Sequence, residues 1–293
     1  MESVCVFTPT YNRAYCLDQL FHSLERQTNK DFYWLIVDDG STDDTESLVE
    51  RFQKKETLHI EYIKKENGGK QRAHNTGVAA CTSELFFCVD SDDFLVDDAI
   101  ESILNLWDSI KGNDKIGGIV GLDGPDKDTP LKNGMPKNVK ETTFWKLYNK
   151  QHHKGDVALI YRTDILRQYP FYVYDDEKFI SECYMYHQVD QHYSLGVLDK
   201  VLIVCEYRED GYTKHIRKVT RENPKGYILL KRNCIEHSDT FYLKFTSTIL
   251  YLVGHILAGH TMRQGIEEAP YPGIARLASP FALLLAKTEF QKS

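Results

Sequence analysis

Three carboxylates fall within four residues at Asp90-Ser91-Asp92-Asp93, directly after the apolar run Leu85-Phe86-Phe87-Cys88-Val89. Carboxylates placed side by side repel unless something positive neutralises them, and a hard divalent cation with oxygen ligands does so. The preceding run reads as a buried strand, and strand ends in an α/β sheet are where such folds hold ligands. The same residues also fit a solvated acidic turn, with Asp93 or Asp97 capping the next helix. The rest of the chain has to separate the two readings.

Two further polar clusters also follow apolar strands. Residues 8–13 come after the strand Val4-Cys5-Val6-Phe7, and residues 38–43 after a strand over 32–37. Between them, Leu17, Leu20, Phe21 and Leu24 recur at helical spacing within 13–27. Ser41-Thr42-Asp43 offers N-caps for a helix to about residue 52. A short strand over 60–63 is followed by Asn67-Gly68-Gly69, which breaks the chain before a helix over 71–80. The strand over 85–89 and a helix over 97–110 complete the series. Apolar strands alternating with helices predict an α/β fold, a mainly parallel sheet with helices on both faces. The loops after strands one, two and four then align along one sheet edge. After residue 110 the alternation decays. Strands are expected over 116–120, 157–161 and 201–206, and residues 123–136 read as a loop rich in Gly, Pro and Asp.

The 293 residues are 42% hydrophobic and 27% charged, enough for one large domain or a domain with an appendage. A net charge of -7 argues against a dedicated nucleic-acid binder. The charge is uneven: residues 211–293 carry 12 Lys+Arg against 6 Asp+Glu, and 1–210 carry 24 against 37. Seven scattered cysteines without a C-x-x-C pair read as reduced thiols, not a disulfide frame or zinc site. The chain runs straight into a strand, so no leader peptide is expected, and a cytoplasmic location follows.

Taken together, Thr8-Pro9-Thr10-Tyr11-Asn12-Arg13, Val37-Asp38-Asp39-Gly40-Ser41-Thr42-Asp43, Asn67-Gly68-Gly69-Lys70 with Ala73-His74-Asn75-Thr76-Gly77, and Asp90-Ser91-Asp92-Asp93 occur in an order that resembles the family 2 glycosyltransferases of GT-A fold. The resemblance is strong over roughly residues 3–110 and looser through 206–211. It implies a metal-dependent inverting transfer from a nucleotide sugar, a Rossmann-like sheet between helices, and bound Mn2+ or Mg2+. It divides the chain into a catalytic domain over 1–218 and a helical extension over 219–293. Within the catalytic domain, 1–110 is the nucleotide half and 111–218 the acceptor half.

The resemblance also assigns roles. Thr8, Pro9 and Tyr11 would lie against the nucleotide. Asp39 would read uracil, since a carboxylate accepts the imide N–H that the base presents, while Asp38 and Asp43 would shape the turn. Asn67 and Lys70 would meet the nucleotide, with the glycines allowing close backbone approach and Lys70, or Arg72, supplying a point charge. Asp92 would be the first metal ligand. Asp90 would meet the ribose or join the metal, Ser91 would line the nucleotide site, and Asp93 would either assist or brace the loop. An adjacent Glu-Asp pair that supplies the base in many relatives is missing. The pattern Glu177-Lys178-Phe179-Ile180-Ser181-Glu182 stands in its place, which makes Glu182 the expected general base and Glu177 the runner-up.

Other features are less specific. Residues 207–213, followed by Lys214, His215, Arg217 and Lys218, resemble the family's late loop over the diphosphate, and equally fit a solvated basic loop. His152-His153 reads as a surface turn. The tail holds apolar stretches over 241–258 and 274–286, the second interrupted by Pro280. They fit either helices packed on the protein or a peripheral contact with anionic lipid. The expected partners are a UDP-sugar donor and a saccharide acceptor, lipid-linked if the tail meets a membrane. Competing readings are a sugar-nucleotide nucleotidyltransferase, which would want a Gly-rich basic loop after the first strand, and a non-catalytic nucleotide- or glycan-binding relative.

Overall fold

A computed structural model describes residues 2–205 and 212–290. The chain divides into two compact units, Met1–Pro170 with Gln188–Tyr207, and Phe171–His187 with Arg208–Ser293.

The first unit is built on a nine-stranded sheet. Its strands are β1 (Val4–Thr10), β2 (Phe32–Asp38), β3 (Ile60–Lys64), β4 (Leu85–Cys88), β5 (Phe94–Leu95), β6 (Ile116–Gly124), β7 (Glu141–Thr142), β8 (Val157–Arg162) and β9 (Ser194–Val204). The order is β3-β2-β1-β4-β8-β6-β9-β5, with β7 also paired to β9. Strands β3, β2, β1 and β4 are mutually parallel. β8 joins β4 antiparallel, and beyond it the sheet is mixed. Every residue of β1 and β2 is buried, as expected where helices cover a parallel sheet.

Helices α1 (Leu17–Glu25), α2 (Thr45–Lys54), α3 (Lys70–Ala80) and α4 (Ala99–Ile110) connect the early strands. In α1 the apolar residues at helical spacing, Leu17, Leu20, Phe21 and Leu24, are all fully buried. α3 lies so close to β1 that a Cβ on Gly77 would sit 2.3 Å from the Phe7 ring. Short helices α5 (Phe144–Asn149) and α6 (Thr163–Leu166) follow. The expected surface turn at 152–153 is corrected: His153 is buried edge-on against Tyr148, and only His152 takes the left-handed backbone, at φ 57°.

The second unit holds most of α7 (Cys183–Val189) and then α8 (Tyr212–Glu222), α9 (Pro224–His237), α10 (Phe241–Leu257), α11 (Met262–Glu268) and α12 (Pro272–Leu285). Thr240 and Thr261 cap α10 and α11 through their hydroxyls. The core is Ile235, Tyr251, Leu252 and Val253 against the alanines Ala275, Ala278 and Ala282. Pro280 does not end α12. Proline lacks the N–H that would bond Arg276 O, and the Ser279 hydroxyl donates to that carbonyl instead, at 2.9 Å. No helix among the described residues is long and apolar enough to cross a membrane.

Candidate active site

Parallel register brings four loops to one edge. Thr10 pairs with Asp38 and Asp38 with Lys64, and Phe7 pairs with Cys88. The residues after each strand, 11–16, 39–44, 65–69 and 89–93, therefore leave the sheet side by side.

The first two loops are tied together by short polar side chains. Asn12, at φ 53°, donates its backbone N–H to Ser41 Oγ at 2.8 Å and accepts from Thr42 N at 2.8 Å. Asp43 accepts from Ala14 N and from the backbone of Thr45 in the first turn of α2. Asp38, fully buried, accepts from Ser41 N at 2.7 Å and the Tyr62 hydroxyl at 2.5 Å. Asp38 and Asp43 thus hold the turn, as expected of them.

Asp39 is committed more deeply than its expected role implies. It is buried, and its Oδ1 accepts from Lys65 Nζ at 2.7 Å and Gly68 N at 3.0 Å. Oδ2 accepts from Asn67 Nδ2 at 3.1 Å and Gly69 N at 2.7 Å. A carboxylate offers about four lone-pair sites, so the 65–69 loop saturates it. Gly40, at φ +85°, permits this approach, since a Cβ there would lie 2.9 Å from Asn67 N. Lys65 was not singled out from sequence; the signal was a lysine just before the glycine break.

Thr8 requires a correction. Its side chain is fully buried, and its hydroxyl accepts from Trp34 Nε1 at 2.9 Å. It supports the sheet beneath the site, and its hydroxyl is turned into the protein. Pro9 is also buried, while Tyr11 is about half exposed at 48%.

The glycine loop leads into α3, whose N-cap is Gly69 at φ 97°. The N-terminus of a helix attracts anions through its N–H groups. Lys70, in the first turn, grips Asp90 at 2.7 Å. Arg72 turns back to donate to Gly68 O at 2.8 Å, which ties the loop to the first turn of α3. Behind the helix, His74 lies between the Phe7 and Phe86 rings.

At the end of β4 the acidic cluster stays together. Asp92 faces Arg13, 3.7 Å from Nη1, and Ser91 is buried. Burial, and then the charges of Asp90 and Asp92, push Asp93 up to about 8. Asp93 bonds to the Cys205 thiol, and burial with the nearby Asp93 charge raises Asp123 as well. Asp93 therefore braces the loop from inside. Asp123 and Cys205 are additions from structure; the signal for Asp123 was an acidic residue ending the β6 run.

Among the described residues no group of three or more His, Cys, Asp or Glu side chains could hold a metal. Asp90 and Asp92 offer hard oxygen donors, which suits a small divalent cation that takes its remaining ligands from phosphate and water. The donor chemistry fits Mn2+ or Mg2+ with the nucleotide bound. The shallow concavity around Gln53, Glu56 and His59 lies by the start of β3, at the opposite end of the strand from these loops.

In the second unit the two base candidates part company. Glu177 is buried, and its carboxylate accepts from Lys225 N at 2.7 Å and Gly226 N at 2.8 Å. It caps the first turn of α9, where backbone N–H groups lack helical partners. Glu182 is half-buried immediately before α7, and its carbonyl accepts from Met185 N at 3.0 Å. The late loop at 207–213, with Lys214, lies outside the described residues apart from the backbone that opens α8. His215, Arg217 and Lys218 are on α8, and Arg217 pairs with Glu289 at 2.5 Å.

The sequence pattern described as Glycosyl transferase family 2 matches residues 5–169. The chain belongs to that family. Among the relatives of this family 2 chain is the poly(ribitol-phosphate) beta-N-acetylglucosaminyltransferase TarP of Staphylococcus aureus (strain N315). It is 26% identical over 200 residues, 68% of this chain and 58% of TarP. The chain thus spans little more than half the length of that relative. In fold it is similar to S. aureus TarS 1-349 in complex with UDP-GlcNAc, with a TM-score of 0.64 at 18% identity over 100% of this chain and 92% of that one. It is also similar to the mannosyltransferase PcManGT from Pyrobaculum calidifontis in complex with GDP-Man and Mn2+. There the TM-score is 0.59 at 16% identity, over 98% and 83% of the two chains.

Proposed function

We propose that this chain is an inverting glycosyltransferase that moves a sugar from a UDP-sugar to a hydroxyl of a saccharide acceptor in surface polysaccharide synthesis. The observation that carries the reading is the convergence of four loops at one sheet edge in a family 2 chain, with Asp90 and Asp92 beside the cations Lys70 and Arg13. The TarP name and the UDP-GlcNAc complex of TarS favour a uridine donor carrying a hexose or N-acetylhexosamine. A lipid-linked acceptor is favoured by a relative from Campylobacter jejuni, 32% identical over 109 residues, that is named a glucosyltransferase acting on an undecaprenol-linked glycan.

In this reading Asp92 and Asp90 would hold Mn2+ or Mg2+, which would supply positive charge against the negative charge that grows on the leaving diphosphate. Lys70 and the N-terminus of α3 add positive potential at the same place. The clamp on Asp39 holds the glycine loop in the shape the nucleotide meets. Asp39 accepts the uracil imide where Lys65, the partner on a flexible stem, yields its place. Tyr11 supplies an exposed ring beside the base.

Glu182 is the base. Glu177 is the weaker candidate because two backbone N–H groups occupy its carboxylate. The acceptor hydroxyl gives its proton to Glu182 as its oxygen bonds to the anomeric carbon. The bond from that carbon to the phosphate oxygen breaks, and its electron pair leaves with the diphosphate. One displacement inverts the centre.

Glu182→Gln tests the assignment. Calorimetry should find UDP-sugar binding in the presence of Mn2+ retained, while transfer falls by about 10²–10⁴, the usual contribution of a general base. Turnover close to wild type would remove Glu182 from the mechanism.

A further inference from the structure

Helix α12 is inside out. Ala275, Ala278 and Ala282 point into the protein and are almost fully buried. Leu277, Phe281 and Leu284, spaced i, i+4, i+7, form its outer stripe, and the two leucines are each 63% exposed. A soluble amphipathic helix does the reverse, because burying a large apolar side chain stabilises by about 1.5–3 kcal/mol and burying alanine by far less.

The stripe continues onto α10. The Phe245 ring meets Phe281 edge-on with centroids 5.7 Å apart, and Phe241 stacks on Phe245 at 5.8 Å. Phe241 and Tyr242 are 64% and 73% exposed. The result is one exposed apolar surface across two helices, of the kind that marks an interaction site.

Charge selects the occupant. Arg276 and Lys287 stand exposed at the two ends of the stripe. Lys244 lies over the Tyr271 ring, 4.6 Å from its centroid. Neither α10 nor α12 contains an aspartate or glutamate, and Glu289, two residues past Lys287, is paired with Arg217. Two copies meeting through this face about a twofold axis would set cation against cation. A surface with a negative outer layer and an apolar interior satisfies both the cations and the exposed rings. Neither helix is long and apolar enough to cross a bilayer, so contact in the plane of the headgroups is the remaining geometry.

We propose that the outer face of α10 and α12 docks on an anionic lipid bilayer. Leu277, Phe281, Leu284 and Phe241 enter the headgroup–acyl boundary, and Arg276, Lys287 and Lys244 meet lipid phosphates. The inference does not depend on the transferase reading, because its readout is sedimentation and not transfer.

The test uses the full chain with phosphatidylcholine vesicles, and with the same vesicles containing phosphatidylglycerol. Sedimentation with the anionic vesicles, weakened by salt, is expected. The variant Leu277→Ser, Phe281→Ser, Leu284→Ser should lose binding by more than about tenfold. Arg276→Glu with Lys287→Glu should lose it similarly. All these side chains are exposed, so circular dichroism and Tm should match wild type and report that the variants fold. Three results overturn the proposal: no sedimentation with anionic vesicles, binding as strong as wild type in both variants, or a lipid-free oligomer in light scattering that the serine substitutions dissolve. The last would assign the face to a second copy.

Discussion

In the strand-bearing unit, Asp90, Asp92 and Asp93 follow β4 within four residues, and burial with mutual repulsion pushes Asp93 up to about 8. In the helical unit, Glu177 directly follows Asp175 and Asp176, and its buried carboxylate meets two backbone N–H groups at the start of α9. Both regions gather acid groups, and in the helical unit backbone donors meet the buried one. A carboxylate satisfied by a helix end is architecture, and removing it should cost stability. A crowded pair that faces the mobile cations Lys70 and Arg13 is the kind of arrangement a ligand can relieve. Functional sites concentrate such arrangements. Under the proposed function, the contrast separates an acid that builds the fold from acids that meet a substrate.

The largest expected effect breaks the contrast on the crowded side. Asp92→Asn should lower transfer by about 10³-fold or more, because a bound cation contributes several kcal/mol to a developing phosphate charge. Its Tm should equal or exceed that of wild type, since one of the clustered carboxylates loses its charge. A lower Tm with transfer intact would make the cluster structural. Next comes Glu177→Ala, which should cost about 2–4 kcal/mol in urea unfolding by leaving two buried N–H groups at α9 without a partner. Its turnover per folded molecule should stay near wild type. A mutant of normal stability and lost turnover would return Glu177 to the role of base.

Between these extremes stands Asp39, which combines both kinds of role. Asp39→Asn removes the charge that Lys65 meets and gives the Gly68 and Gly69 N–H groups a poorer acceptor. UDP affinity should weaken by about tenfold, roughly 1.4 kcal/mol, with a matching loss from Lys65→Met if the clamp matters more than direct base contact. Calorimetry with UDP reads both variants. Unchanged affinity in Lys65→Met with a large loss in Asp39→Asn would assign the carboxylate to the base alone.

The early half of the fold was legible because its code is local. Alternating apolar strands and helices with Gly and Asp at the breaks place the loops, and parallel register makes them neighbours. Side-chain commitments were not legible in the same way. Nothing in Asp-Asp-Gly-Ser says that the second aspartate is saturated by a loop 28 residues later, or that Thr8 serves an indole. Glu177 and Glu182 look alike in a motif, and only the fold brings the start of α9 onto one of them. α12 left two readings open, a helix packed on the protein or one that meets lipid. Its Pro280 signals a break, and the Ser279 hydroxyl takes the carbonyl that the proline leaves without a donor.

The smallest effect concerns a feature on which the two units agree. Each hides a histidine whose charge the fold rejects: burial, reinforced by Lys70, holds His74 down to about 3, and burial with His237 nearby holds His187 down to about 4. A histidine depressed in the folded state stays neutral while the unfolded chain takes up a proton below its ordinary value of about 6.5. The unfolded state then binds more protons, so stability falls as pH falls through that value and is fully present above it. For His74 alone the loss between about pH 7 and pH 6 should be roughly 0.7 kcal/mol, and the slope should approach about 1.4 kcal/mol per pH unit further down. Other groups titrate in the same range, so the measurement is the difference between wild type and His74→Leu in urea unfolding at both pH values. The leucine fills the space between Phe7 and Phe86 without a proton to gain, and its profile should be flatter by that amount. Parallel profiles would mean that His74 takes up its proton as readily in the fold as in the unfolded chain.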